Sequence, residues 1–377
     1  MPTAFAASGI PLNLFANTIM NAMKQILTLM FALAVCLPSF ATASESNEHS
    51  EGKGAIDVKE IVLGHMSDAY DWHITTLNGH HVSIPLPVIV KGETSGWHVF
   101  SSSRLAHHQE YQGFYINEAK NGKIYEKLPT GDKRPIDISI TKNVAQIWIV
   151  ALLLLITFTS CARWYKGREA GSPAPKGFVG LMEMFVMSIH DDVIKASIGE
   201  KHHKRYAPFL LTAFFFIFFT NVLGLIPIFP GGANVTGNIT ITFFLAVCTM
   251  LAVNLFGNKE YWKEIFWPEV PAWLKVPIPI MPVIEVFGIF TKPFALMVRL
   301  FANMMAGHAI ILSLTCVIFI TWTISALIGT SLSIVSFLMM LFMNCLEVLV
   351  AFLQAYVFTM LSAVFISMAH PEHTHEK

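Results

Sequence analysis

Long uncharged segments dominate the second half of the chain. Four segments contain no Asp, Glu, Lys or Arg, namely residues 144–162, 206–258, 300–346 and 348–371. Because about 20 consecutive apolar residues are enough to cross a bilayer as an α-helix, each segment can hold at least one membrane span. The segments predict five spans, at about residues 144–162, 208–226, 239–256, 280–320 and 330–369.

The last two predicted spans are unusually long, and a turn between them is expected at residues 321–330. A helix of about 40 residues measures about 60 Å at 1.5 Å per residue. This length is about twice the thickness of the hydrocarbon core, so both helices are expected to tilt or bend. The predicted fold class is an all-α polytopic membrane protein whose last two long, tilted helices have a free face for a partner.

The amino-acid composition agrees with a membrane protein. Hydrophobic residues make up 54% of the 377 residues and charged residues only 13%, against about 25% charged residues in average soluble domains. Lys and Arg number 25, as do Asp and Glu, and this balance gives no sign of nucleic-acid binding. The chain also lacks the G-x-x-x-x-G-K-[ST] loop that cradles nucleotide phosphates. We therefore predict no catalytic residue and no cofactor in this chain.

The first 43 residues have the order of a secretory signal peptide. A positive charge at Lys24 precedes an apolar stretch at residues 26–37, and a small-x-small sequence follows at residues 41–43. This order predicts cleavage after Ala43. A first transmembrane helix is the alternative, but the apolar stretch is short for one.

Residues 44–142 are polar and are expected to form an extramembrane domain. Alternating runs predict strands, at residues 81–90, 97–100 and 113–116. Eight of the 15 histidines of the chain lie in this segment. No helical His pair or Cys pair accompanies them, so we predict surface histidines rather than a metal site.

Positive charge is concentrated after the first predicted span. Residues 163–205 hold eight Lys and Arg residues, and such a loop is expected in the cytoplasm. A signal peptide independently places residues 44–142 outside, and five spans then put the C-terminus in the cytoplasm. The expected organisation is a signal region (1–43), a periplasmic domain (44–142) and a membrane domain (143–377) in a bacterial inner membrane.

Few ionisable residues fall at membrane depth in the last hundred positions. They are Glu285, Lys292, Arg299, His308 and Glu347. Ionisable groups inside a bilayer are costly and usually functional. The first three are seven residues apart, so each is rotated by only about 20° from the one before. They are expected to form one polar stripe.

Arg299 lacks an acidic neighbour three or four residues away on its helix. A guanidinium cannot practically lose its proton, and burying it without a partner is expensive. Its counter-ion must come from another helix or another chain. We predict a carboxylate on a partner, and pairing with Glu347 is the alternative within the chain.

His308 and Glu347 are expected to meet. His308 lies nine residues beyond Arg299, which places it about half a turn round the helix axis from that residue. If the last two helices run antiparallel, His308 and Glu347 both lie in the outer half of the membrane. Such a pair suits a proton relay, whereas a hydrogen-bonded packing role is the alternative for His308.

These positions fit two half-channels rather than one continuous pore. An outer polar pocket with His308 and Glu347 would admit protons to the middle of the membrane. An inner stripe with Glu285 and Lys292 would line an exit. Arg299 between them would block direct leakage and attract a carboxylate on a moving partner.

Residues 294–308, FALMVRLFANMMAGH, strongly resemble the signature of subunit a of F-type ATP synthases, R-L-F-x-N-x-x-x-G-[EH]. Residues 214–227 and 347–368 resemble the second span and the last helix of that family. The resemblance covers about residues 177–370. It implies a membrane subunit that couples proton flow to the rotation of a ring, with a c-ring and the peripheral-stalk subunit b as partners.

The resemblance also implies roles for individual residues. Arg299 matches the stator arginine that faces the c-ring. Glu285 matches an acid assigned to the inner half-channel, and Lys292 matches the lysine seven residues before the arginine. Asn303 and Gln354 match polar residues near the arginine, and we place them with His308 and Glu347 in the outer half-channel.

The chain departs from the common bacterial pattern at one pair of positions. Many bacterial members carry Glu where this chain has His308, and His where it has Glu347. The exchange, found also in mitochondrial members, keeps one acid and one imidazole. It therefore favours a joint role for the two residues, without indicating which one receives the proton first.

Two other classes of function are open at this stage. A self-contained ion-coupled secondary transporter would be expected to have broken helices in corresponding halves of the chain, and no internal repeat is evident. A passive assembly subunit would leave Arg299 unexplained. Dependence on a carboxylate of a partner distinguishes the stator subunit from both alternatives.

Overall fold

The computed structural model describes residues 67–370, with gaps at residues 78–79, 94, 118–121, 130, 167–174, 227–229, 268–279 and 325. The predicted signal region lies outside the described residues. Within them, a small β-domain precedes a bundle of helices.

Seven short strands build the β-domain. They are β1 (Asp71–Leu77), β2 (His80–Pro85), β3 (Pro87–Gly92), β4 (Gly96–Ser101), β5 (Phe114–Asn117), β6 (Lys123–Glu126) and β7 (Ile136–Asp137). Three small antiparallel sheets result: β1 pairs with β2, β3 lies between β4 and β7, and β5 pairs with β6. The prediction of strands in this segment is confirmed.

The core of the β-domain follows from the alternation of apolar residues. Val88 and Val90 share one face of β3 and are buried with Phe100, Leu105 and Phe114. The predicted strand at residues 81–90 is wrong in one respect, because it is two strands in different sheets.

The break in that strand lies at Leu86. There the backbone leaves both ladders and pairs with Ser102: Leu86 N donates to Ser102 Oγ, and Ser102 N donates to Leu86 O, each over 3.0 Å. These bonds satisfy the backbone at the corner.

Besides a three-residue helix at Ala196–Ile198, seven helices follow in the described part of the chain. They are α1 (Lys142–Tyr165), α2 (Phe178–Ser188), α3 (His203–Leu225), α4 (Ile239–Phe256), α5 (Lys259–Phe266), α6 (Ile280–Ile324) and α7 (Ala326–Met368). A π-helical segment, Ile189–Lys195, extends α2. Five of these helices, α1, α3, α4, α6 and α7, are long and apolar enough to cross a membrane. The prediction of five spans is confirmed.

The predicted turn at residues 321–330 is much shorter than expected. Helix α6 continues to Ile324 and α7 begins at Ala326. Residues 321–328 contain neither Pro nor Gly, the two residue types that most disfavour a helix interior. The helical backbone therefore continues through most of this segment.

Helix α3 lies at the centre of the bundle. Its side chains Leu210, Phe214 and Ile217 are fully buried, and α7 packs along it. Helices α6 and α7 pack on each other, and α6 also packs on α4. The outward faces of α6 and α7 remain exposed and largely apolar. Such faces suit lipid or another membrane subunit.

The bundle has two distinct ends. We call the end where α1 begins and α3 finishes the β-domain end. At the opposite end, where α3 begins and α7 finishes, Tyr206 Oη lies 3.2 Å from His370 Nε2. The same end is closed by a hydrogen bond of 3.0 Å from Asn258 N to Ala369 O.

Candidate functional site

His308 of α6 and Glu347 of α7 face each other inside the bundle. His308 Nδ1 lies 3.5 Å from Glu347 Oε1, and the side chains are 14% and 4% exposed. Among the described residues, His308 Nε2 and both Glu347 oxygens have no hydrogen-bond partner. Burying such atoms without a partner costs about 1–3 kcal/mol each. A bound water molecule or a proton from outside the protein is therefore needed to satisfy these buried atoms.

Gly307 creates the space that Glu347 occupies. A Cβ atom at this position would lie 2.6 Å from Glu347 Oε1 and 3.0 Å from its Cδ. Real Cβ atoms do not approach other atoms so closely, so any larger residue must displace the carboxyl group. Gly307 was missed as a site residue because only the fold brings the backbone of α6 against this carboxylate.

If the pair relays protons as the sequence predicts, Gly307→Ala is expected to lower proton translocation about tenfold while the protein remains assembled. The atoms in the way are the end of a flexible side chain, so Glu347 can turn aside at little cost in stability, but its carboxyl group then moves relative to His308. The measurement is ATP-driven proton pumping in inverted vesicles. Gly288→Ala is the matched control, because its Cβ would meet only Lys292 Cε at 3.8 Å. Equal pumping by the two variants would contradict the prediction.

Helix α3 and the turn after it complete the pocket around His308. A Cβ atom at Gly224 would lie 3.6 Å from His308 Nε2 and 3.2 Å from Ala233 O. One turn earlier, buried Asn221 accepts a hydrogen bond of 2.6 Å from Thr236 Oγ1. Its Nδ2 atom has no partner among the described residues. Asn221 was missed, although a buried amide in an apolar span is a signal that could have identified it.

Two other predicted residues lie apart from this pair. Gln354 is half-buried on α7, seven residues beyond Glu347. Asn303 is exposed on α6, on the same side as Arg299. Since the Glu347 oxygens have no hydrogen-bond partner in the described part of the chain, neither amide bonds to this carboxyl group.

Arg299 lies on the exposed face of α6. Exposed residues recur every three or four positions along this face: Phe287, Phe290, Phe294, Val298, Arg299, Ala302, Asn303, Ala306 and Ile310. Arg299 is the only charged residue in that list. Glu347 is buried beside His308 instead. The alternative of an Arg299–Glu347 pair is therefore wrong, because the two side chains lie on different surfaces.

Lys292 lines a recess at the opposite end of the bundle. The recess has a cavity volume of about 20 Å³ and is bordered also by Thr249, Asn254, Tyr261 and Phe365. Lys292 Nζ lies 5.9 Å from the ring centre of Phe365, and Tyr261 Oη donates a hydrogen bond of 3.1 Å to Asn254 Oδ1. The recess thus combines one cation with several neutral polar groups.

Glu285 belongs to the same end of the bundle. Burial, and then the negative charge of Glu285, raise the pKa of the Tyr261 phenol. Glu285 and Lys292 are half-buried, whereas Arg299 is exposed. Neighbouring helices therefore cover the expected stripe to different extents along its length. A seven-residue repeat drifts by about 20° on a straight helix, and neighbouring helices cover Lys292 but not Arg299.

Two family models match the chain. The family model described as ATP synthase A chain matches residues 144–367. A second model, described as a domain of unknown function, matches residues 61–145, which include the β-domain.

Curated relatives extend the match. ATP synthase subunit a of Chlorobium phaeobacteroides is 43% identical over 276 residues, which are 71% of this chain and 76% of the relative. The Myxococcus xanthus protein of the same name is 40% identical over 263 residues, 67% of this chain and 81% of the relative. The chain, a multi-pass membrane protein, therefore belongs to the ATP synthase A chain family.

Proposed function

We propose that this chain is the membrane stator subunit of an F-type ATP synthase, and that it couples proton flow to the rotation of a c-ring. One observation carries the proposal: the ionisable side chains of α6, together with Glu347 of α7, lie in three separate places. The pocket of His308 and Glu347 is near the β-domain end, the recess of Lys292 is near the opposite end, and exposed Arg299 lies between them along α6.

The separation between these places supports two half-channels. Along α6, Arg299 is about 13.5 Å from His308 and about 10.5 Å from Lys292 at 1.5 Å per residue. The His308–Glu347 pair faces into the bundle, whereas Arg299 faces out of it. A proton that reaches Glu347 must therefore leave this chain before it can arrive at the recess. A moving carboxylate on a partner can carry it.

The orientation in the membrane follows from charge. The loop after α1 holds eight Lys and Arg residues and is proposed to be cytoplasmic. The β-domain end then faces the periplasm across a bacterial inner membrane, and the C-terminus is cytoplasmic. The signal region at residues 1–43 is part of the same proposal.

Each group then has a distinct task. His308 and Glu347 exchange protons with the periplasm and pass them to a ring carboxylate. Arg299 keeps that carboxylate ionised as it passes and prevents protons from moving directly between the two routes. Glu285 and Lys292 line the route to the cytoplasm. Asn303 and Gln354 are proposed to assist near the ring contact.

The exposed faces of α6 and α7 are proposed to contact the ring, and lipid and peripheral-stalk subunit b cover other surfaces. A photoreactive benzophenone residue at Ala302, one turn beyond Arg299, tests the ring contact. The control position is Leu255 of α4, which is 70% exposed.

We expect light to attach the c-ring subunit at position 302 and not at position 255. The measurement is mass spectrometry of the adduct from the intact complex. Adducts to lipid alone at position 302 would contradict the proposal and favour a self-contained transporter.

A further inference from the structure

The β-domain is attached to the bundle at two places, both at the end of the bundle that holds the His308–Glu347 pocket. The first is the start of α1, where Lys142 N donates to Ala69 O over 2.9 Å and Asn143 N donates to Asp68 Oδ1 over 3.2 Å. The second is the turn at residues 230–238. Here buried Trp72 Nε1 donates to Gly231 O over 3.1 Å.

The two attachments are linked to each other beneath the domain. Gln146, on the second turn of α1, is fully buried, and its Oε1 accepts a hydrogen bond of 2.8 Å from Ala233 N. The carbonyl of Ala233 in turn packs at Gly224, beside His308. Only one residue of the turn thus separates Gln146 from the pocket.

The buried polar groups along this path are incompletely satisfied. In the described part of the chain, the Nδ2 atoms of Asn221 and Asn234 and the Nε2 atom of Gln146 have no hydrogen-bond partner. Asn143 is also buried, three residues before Gln146 on the same face of α1. Buried amides without protein partners are usually satisfied by ordered water. Apolar side chains would have sufficed if α1 only packed against its neighbours.

Charged groups mark the beginning of this path. Lys142 interacts electrostatically with Asp68 and Asp71 of the β-domain, and its charge also reaches His308. Burial raises the pKa of the half-buried Asp68 carboxyl group, and the nearby charge of Lys123 opposes this rise. The junction between the domain and α1 is therefore polar at its edge as well as in its interior.

We propose that the β-domain is a roof over the outer end of the proton route, and that water and protons reach His308 and Glu347 beneath this roof, past Asn143 and Gln146. This inference rests on the proposed function of the pocket, and it assigns a role to a domain for which the family model gives none.

Cysteine labelling tests the route. Asn143→Cys and Gln146→Cys place a thiol on the path, and Trp148→Cys is the control at nearly the same depth on an exposed face of α1. Cells are treated from outside with a small, positively charged, membrane-impermeant methanethiosulfonate, and inverted vesicles are then prepared. We expect labelling at positions 143 and 146 to lower ATP-driven proton pumping at least tenfold, with recovery after reduction.

The second measurement compares labelling rates after one attachment of the β-domain to the bundle has been weakened. Trp72→Phe removes the hydrogen bond to Gly231 O, and Trp97→Phe alters a Trp that is 56% exposed on the same domain. In the Gln146→Cys background, we expect Trp72→Phe to raise the labelling rate several-fold and Trp97→Phe to leave it unchanged. Equal labelling rates in the Trp72→Phe and Trp97→Phe variants would contradict the proposal that the β-domain covers the outer end of the proton route.

The outcomes separate this inference from the proposed function. One outcome contradicts only the proposed path: Arg299→Ala is inactive, but labelling at positions 143 and 146 lowers pumping no more than labelling at position 148 does. If Arg299→Ala pumps normally, the function proposed for the chain fails. Asn143→Cys keeps the backbone N–H that bonds Asp68, so the test stands even if Gln146→Cys disturbs the turn at Ala233.

Discussion

Replacing Arg299 by alanine is expected to abolish ATP synthesis driven by a proton gradient, while the complex still assembles. Arg299 is exposed on α6, so the substitution removes little packing within this chain. It does remove the positive charge that is proposed to face a carboxylate of the ring. Breaking a desolvated ion pair costs about 3–5 kcal/mol, which corresponds to a fall of between about 10²-fold and almost 10⁴-fold in rate.

The measurement is ATP synthesis in vesicles energised by an imposed gradient, normalised to the amount of assembled complex. Arg299→Lys is the matched control, since it keeps the charge but loses the planar, bidentate guanidinium. We expect it to retain more activity than the alanine variant. ATP synthesis above about a tenth of the wild-type rate in Arg299→Ala would show that this charge is not the coupling group.

Exchanging His308 and Glu347 is expected to restore most of the activity that either single exchange removes. His308→Glu alone places two carboxyl groups at positions where the present side chains approach to 3.5 Å. Two carboxyl groups so close together cannot both be ionised. Glu347→His alone removes the only acid of the pair. The double variant H308E/E347H again has one acid and one imidazole at this place.

We expect each single variant to lose about 100-fold in proton pumping, the contribution of a positioned proton-transfer group. The double variant is expected to recover to within about tenfold of the wild type. Pumping in inverted vesicles and the amount of assembled complex are measured for all three. If the double variant were as inactive as the single ones, the two side chains would not act as a pair.

The spans and their order could be predicted because they depend on local composition. Residues 239–256, for example, carry no charge and are mostly apolar, and α4 has these bounds in the structure. The proximity of His308 and Glu347 could also be predicted, because two antiparallel helices joined by a short turn bring together positions at similar distances from that turn. Helical periodicity and length were sufficient for these inferences.

The surroundings of these residues depend on contacts between distant segments. The seven-residue spacing could not show that α7 would cover Lys292 and leave Arg299 exposed. The sequence also gives no sign that Gly307 makes room for Glu347, or that Trp72 reaches Gly231, 159 residues away. Such features arise from the packing of side chains that no local pattern encodes.

Passive proton conductance in membranes stripped of the ATPase head tests the two half-channels most directly. It would be compared among the wild type, Arg299→Ala, and Arg299→Ala combined with Glu347→Gln. If Arg299 separates two routes, the single variant conducts protons faster than the wild type. If the outer route runs through Glu347, the double variant loses this leak. A single variant no leakier than the wild type, or an undiminished leak in the double variant, would contradict the mechanism.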